Sequence, residues 1–146
     1  MKLKNINADI VKAHGNDSRL MVGYYDTEHI GITYDGVAMY ILKTDDFLFD
    51  TVKLLRGREA TSQIPRVIND ALDGALDAVL TGVMIAQNKK TLYELKTEKF
   101  SVYIDGKFLR NFDKVCTFKC TSPKSPVVVY EEKNLAGVIL PVIYQK

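Results

Sequence analysis

This sequence has no tryptophan, and only two cysteines and two histidines in 146 residues. No apolar run approaches the roughly 18 residues needed to span a membrane as a helix. The opening Met1-Lys2-Leu3-Lys4-Asn5 leads into no apolar core of the signal-peptide kind, so export is not indicated and a cytoplasmic setting is expected. Cys116 and Cys120 are four apart in "CTFKC". On a strand their Cα atoms would stand about 13 Å apart at ~3.3 Å per residue, and a disulfide needs them within about 7 Å. Reduced, structural thiols are the expectation. A zinc site would need further ligands at useful spacing, and none is present.

The poverty in histidine also limits catalysis. His14 and His29 are the only two, and "DTEHIGITYD" puts His29 close to Asp26 and Glu28. That cluster reads either as a metal or enzyme site or as solvated surface, and the polar turn around it favours the second. No glycine-rich phosphate loop occurs: "DGALDAVLTG" and "GKF" match neither nucleotide fingerprint. Nothing supports an enzyme, a metal or a cofactor.

What is present is an ordinary globular composition, 47% hydrophobic and 26% charged, at a length that suits one domain over residues 1–146. Net charge is +2 but uneven. Residues 1–88 carry 9 Lys and Arg against 12 Asp and Glu, and residues 89–146 carry 11 against 6. A basic face on the second half is compatible with that imbalance.

"NINADIVKAH" (5–14) reads as a short helix capped by Asn5 or Asn7 and stopped by Gly15. "RLMVGYY", "HIGITYDG" and "VAMYILK" read as three strands. "TDDFLFDTVKLLRG" is ambiguous between a strand end and a helical turn. The longest helix is expected over 64–80. There Ile64, Val67, Ile68, Ala71, Leu72, Ala75, Leu76, Val79 and Leu80 recur on one face, with Asp70, Asp73 and Asp77 opposite. Pro65 suits its first turn. Gly74 costs such a helix about 1 kcal/mol against alanine, and marks either a close approach or nothing.

"GVMIAQ", "TLYEL" and "KFSVYID" read as strands with a turn at Asn88-Lys89-Lys90. Asp105 should cap a short helix, "GKFLRNFDKV", with Phe108, Leu109 and Phe112 inward and Lys107, Arg110 and Lys114 outward. "CTFKC" is strand again. The chain closes on a hairpin, Val127 to Tyr130 and Leu135 to Ile143, around the turn Glu131-Glu132-Lys133-Asn134. Pro141 interrupts its second arm, where a missing N–H belongs at an edge or a strand end. The fold class expected is α+β, mostly antiparallel, with short helices.

In order along the chain, "TYDGVAMYI", "FSVYIDGKFLRNFDKV" and "SPVVVYEEKNLAGVILPVI" cover about half of it. They resemble the Thr-Asp-Gly turn and strand, the strand with a short helix, and the proline-marked last hairpin of bacterial-type DNA sliding clamps, the β subunit of replicative DNA polymerase. The resemblance implies a clamp-like domain with helices facing DNA and sheets outside, joined edge to edge into rings. It implies a non-enzymatic role in DNA replication or repair, of phage or mobile-element origin given the size.

It further implies an apolar groove capturing polymerase or repair-protein peptides, formed here by Tyr34, Asp35, Gly36, Met39, Val138, Leu140, Pro141 and Val142. Lys12, Lys107, Arg110 and Lys114 would contact double-stranded DNA, weakly and with strong salt dependence. Three departures stand beside it. One domain needs six copies for a ring, the helix at 64–80 has an acidic outer face unsuited to phosphates, and Val37, Ala38 and Ile143 replace polar or basic family residues. The alternative is a small phage-type structural or assembly protein that forms homo-oligomers by edge-strand pairing. Either reading leaves residues such as Val127, Val129 and Ile139 in the core.

Overall fold

The computed structural model describes residues 1–14, 20–46, 63–113 and 115–145, with the His14 side chain outside the description. Lys114 and the 47–57 part of the ambiguous segment fall outside it; the described Thr44–Asp46 form one 3-10 turn. The chain is α+β and mostly sheet. In order come α1 (Leu3–His14), β1 (Met21–Tyr24), β2 (His29–Thr33), β3 (Ala38–Lys43) and α2 (Gln63–Leu72). Then follow β4 (Leu76–Gln87), β5 (Lys90–Lys96), β6 (Ser101–Asp105), a 3-10 helix (Gly106–Asn111), β7 (Cys116–Cys120), β8 (Val127–Glu131) and β9 (Asn134–Ile139). The strands form one nine-stranded antiparallel sheet in the order β1-β2-β3-β9-β8-β7-β4-β5-β6.

Period-two alternation sorts the side chains of the central strands into two cores. Tyr40, Leu42, Val127, Val129 and Ile139 face one side, where α1 packs Ile6 and Ile10 and the 3-10 helix contributes Phe108. Ile41, Val128 and Val138 face the other, where α2 packs Ile64, Ile68 and Ala71. The two α-helices therefore cover opposite faces of the sheet. α1 and the 3-10 helix share a face and are tied by the Lys2 N–H donating to the Asn111 carbonyl at 2.8 Å.

The helix expected over 64–80 is corrected: α2 stops at Leu72. Gly74 takes φ +73°, the left-handed residue that ends a helix. Beyond it, Leu76, Asp77 and Ala78 pair with Cys120, Lys119 and Phe118 of β7, and Val79 and Leu80 pair with Lys96 and Leu95 of β5. Their helix-like spacing was coincidental, since Val79 and Leu80 are exposed strand residues. The first helix starts earlier than its asparagines suggested. Asn7 lies within α1 and its Nδ2 donates to the Leu3 carbonyl at 2.9 Å. Asp105 does cap the 3-10 helix, accepting from the Lys107 N–H at 3.1 Å.

Both hairpin turns are tighter than expected. Gln87 pairs with Lys90 and Glu131 with Asn134. The two-residue loops between them, Asn88-Lys89 and Glu132-Lys133, have positive φ at both positions. That is the mirror-image turn matching the twist of a hairpin. The last strand ends at Ile139 rather than Ile143. The Leu140 N–H donates to the Val37 carbonyl (2.8 Å) beside β3, and the Val142 N–H donates to the Tyr103 carbonyl (2.7 Å) on β6. Pro141 stands where the chain changes partner, so its absent N–H orphans no acceptor in either ladder. The tail thereby covers the outer edge of β6, held by the Tyr103–Tyr144 ring contact and by Gln87 Nε2 donating to the Ile143 carbonyl at 3.3 Å.

Candidate functional site

The turn between β2 and β3 divides the two faces. The Asp35 carboxylate accepts from the N–H groups of Val37 and Ala38 (2.8 and 3.0 Å), and the Thr33 hydroxyl accepts from the Gly36 N–H at 3.0 Å. Gly36 takes φ +76°, which an L side chain adopts only at a cost. Around this bend Tyr34 and Asp35 turn to the α1 face and Gly36 and Met39 to the α2 face, while Val37 packs against the α1-side core and also reaches the groove.

On the α2 face lies an apolar groove of about 230 Å³. It is lined by Met21, Thr33, Gly36, Val37, Ala38, Met39, Val138 and Leu140 from the sheet and its connections, and by Gln63, Ile64 and Val67 of α2. None of the described residues that line it is charged. Four of the eight expected groove residues meet here: Gly36, Met39, Val138 and Leu140. Pro141 and Val142 do not line it, Val142 being engaged with β6. The contributions of α2 and of Met21 were not read from the sequence. Val67 carried a signal, an apolar residue at the helix margin, but only the packing shows that it overhangs a groove. Met21, Val67 and Leu140 are each exposed although large and apolar.

On the α1 face a polar cleft of about 370 Å³ gathers Lys12, Lys107 and Arg110 with Tyr34, Asp35, Asp9 and Asn111. Three of the four basic residues expected to touch DNA thus share one cleft, which also takes Tyr34 and Asp35. The Tyr34 hydroxyl donates to Asp9 Oδ2 at 3.0 Å, and Asn111 Nδ2 donates to the hydroxyls of Tyr34 (3.2 Å) and Tyr40 (3.0 Å). The Tyr34 ring stacks on Tyr40 with centroids 5.7 Å apart. Burial pushes the Tyr34 hydroxyl well above its ordinary pKa, and its neighbours Tyr40 and Asp9 add to the effect, so it stays a donor at neutral pH. Arg110 Nη2 stands 3.9 Å from Asp9 Oδ2, and Lys107 Nζ 3.9 Å from Asp105 Oδ2. Both cations are exposed and their pairs are long, although Asp105 is buried, so each cation can still reach a phosphate.

The Asp26, Glu28 and His29 group is a self-satisfied turn. Asp26 Oδ1 accepts from the N–H groups of Glu28 and His29 (2.8 and 2.7 Å) and lies 2.9 Å from His29 Nδ1. Desolvation is the largest single effect and raises the Asp26 carboxyl, but those N–H groups and the ring together outweigh it and hold Asp26 below the usual carboxylate range. Among the described residues no three His, Cys, Asp or Glu side chains are grouped to hold a metal ion. No described helix is long and apolar enough to cross a membrane. Cys116 and Cys120 are both free thiols. Set against protein-family models, curated proteins and solved structures, the chain finds no match.

Proposed function

We propose that this chain is a non-enzymatic binding module of sliding-clamp type, acting in DNA replication or repair within the cytoplasm. It captures an apolar segment of a polymerase or repair protein in the groove between α2, β3 and β9. One observation carries this reading: a charge-free groove onto which Met21, Val67 and Leu140 are held exposed. Such residues are normally covered, and a cluster of them marks an interaction site. The volume is below that of a small-molecule pocket and suits one or two large side chains. An uncharged lining favours an uncharged, apolar occupant, because a charged one would lose its hydration without a partner.

The basic cleft on the opposite face supports a weak contact to double-stranded DNA through Lys12, Lys107 and Arg110. Phosphate contacts of this kind weaken steeply with salt. Replacing Lys107 and Arg110 together by glutamate abolishes DNA retention at low salt on this reading, and unchanged retention rejects the contact.

The groove is tested by fluorescence-anisotropy titration of a short synthetic peptide bearing leucine and phenylalanine. Saturable binding that is lost in Val67→Asp supports capture; equal binding by wild type and variant contradicts it. The reading as a small phage-type assembly protein is favoured by a different observation: among the described residues, no strand pairs with the outer side of β4 from Met84 to Gln87.

A further inference from the structure

β4 is twelve residues long, and its partner changes along its length. Leu76, Asp77 and Ala78 pair with β7 alone, whereas Val79, Leu80 and Met84 to Gln87 pair with β5 alone. Among the described residues no strand covers the outer side of that stretch. The sequence there, "VLTGVMIAQ", has neither charge nor proline. Natural edges are usually guarded by lysine, proline or brevity. β1 is only four residues long, and β6 is covered by the tail. β4 carries only a bulge at Gly82, and beside it Val79 and Met84 are 70% and 60% exposed.

The hydrogen-bonding direction of this edge follows from its turn. In a two-residue hairpin of this type the closing pair, Gln87 and Lys90, is hydrogen-bonded. Alternation then turns Ile85 toward β5 and leaves the N–H and C=O groups of Met84 and Ala86 facing outward.

We propose that a second copy of this chain pairs antiparallel along this edge, across a two-fold axis at Ile85. Met84 of one copy then exchanges hydrogen bonds with Ala86 of the other, twice by symmetry. A self-complementary edge must not repel itself, and this stretch has no charge to do so. The inference rests on the second reading above, assembly through a strand edge, and makes that self-association specific. An isologous pair closes at two chains and gives no six-copy ring.

The test is sedimentation equilibrium of the full chain, 16.5 kDa, with two variants. The wild type is expected at twice the chain mass. Ala86→Pro removes an N–H that the fold does not use and should weaken dimerisation at least about tenfold. Met84→Lys, at an exposed side chain, should do the same and remains informative should the proline variant unfold. Dimers that persist in a folded variant place the interface elsewhere and overturn the inference while self-association stands. A wild-type monomer overturns both. A six-chain mass overturns the two-fold pairing in favour of a ring. Peptide capture by the groove, which neither substitution touches, is read separately and reports on the proposed function alone.

Discussion

Val138 and Leu140 stand two residues apart and both line the groove, yet an aspartate should act oppositely at the two. Val138 is 4% exposed and packs against Ile64 and Ile68 under α2, whereas Leu140 is 42% exposed and uses only its backbone, donating to Val37. Full burial of a leucine is worth about 1.5–3 kcal/mol, so an occupant covering the open two-fifths of Leu140 gains roughly 0.6–1.2 kcal/mol. A carboxylate there forfeits that gain and must itself be desolvated, adding about 1–3 kcal/mol. Leu140→Asp should therefore weaken peptide binding about 15- to 1000-fold. Its folding stability should fall by no more than about 2 kcal/mol, the worth of the three-fifths of the side chain that is already covered. Val138→Asp buries an unpaired charge and should cost about 3–5 kcal/mol or abolish folding. Urea unfolding and anisotropy on the same samples separate the two effects. If Leu140→Asp unfolds non-cooperatively, or Val138→Asp is tolerated with binding intact, the division between groove wall and core is wrong.

Three further outcomes follow from the fold. At Gly137 an added Cβ falls against the Met39 carbonyl oxygen, inside van der Waals contact, and 3.0 Å from Phe112 Cζ. Gly137→Ala should cost at least about 2 kcal/mol, and an unchanged urea midpoint would show that the β3–β9 ladder can give way. Lys133 holds φ +71° in a two-residue turn, so Lys133→Gly should raise stability by about 0.5–1 kcal/mol in thermal unfolding, and a lower midpoint would contradict the turn geometry.

Burial pushes both thiols up to about 11, with Glu131 and Asp113 adding to the effect at Cys116. Folded chains therefore hold these protons more tightly than unfolded ones, whose thiols titrate near about 8.5. The associated stability is complete below that value and is lost as pH rises toward 11. Denaturant midpoints should fall across this window, and more shallowly in Cys120→Ala; a flat profile in wild type would refute the shift. Native alkylation at pH 8 should be correspondingly slow.

Much of the fold was readable because its signals are local. The alternation in Ser101 to Asp105, the cap at Asp105 and the turn around Asn88 each depend on a few neighbouring residues, and each lies where expected. What failed was decided across the chain. Leu76, Val79 and Leu80 fit a helical face as well as a strand, and the left-handed Gly74 with the pairing to β5 and β7 settled the matter. The place of β9 between β3 and β8 brought Val138 and Leu140 to Met39, and no short-range pattern encodes that adjacency.

The candidate site was half legible for the same reason. Gly36, Met39, Val138 and Leu140 converge, but the Asp35 turn sends Tyr34 to the opposite face, and Pro141 marks a change of strand partner instead of a groove wall. The three described cations of the basic set converge because α1 and the 3-10 helix pack side by side. Lys12 and Lys107 are far apart in sequence and nothing local joins them.

The central claim is that the groove takes an apolar segment, and methyl-resolved NMR tests it most directly. With methyl-labelled Met, Leu and Val, the unlabelled leucine- and phenylalanine-bearing peptide is titrated into the protein. The account predicts saturable shifts at Met21, Met39, Val67, Val138 and Leu140, with Val127 and Val129 of the opposite core unmoved. Shifts confined to other methyls, or none that saturate, would contradict it.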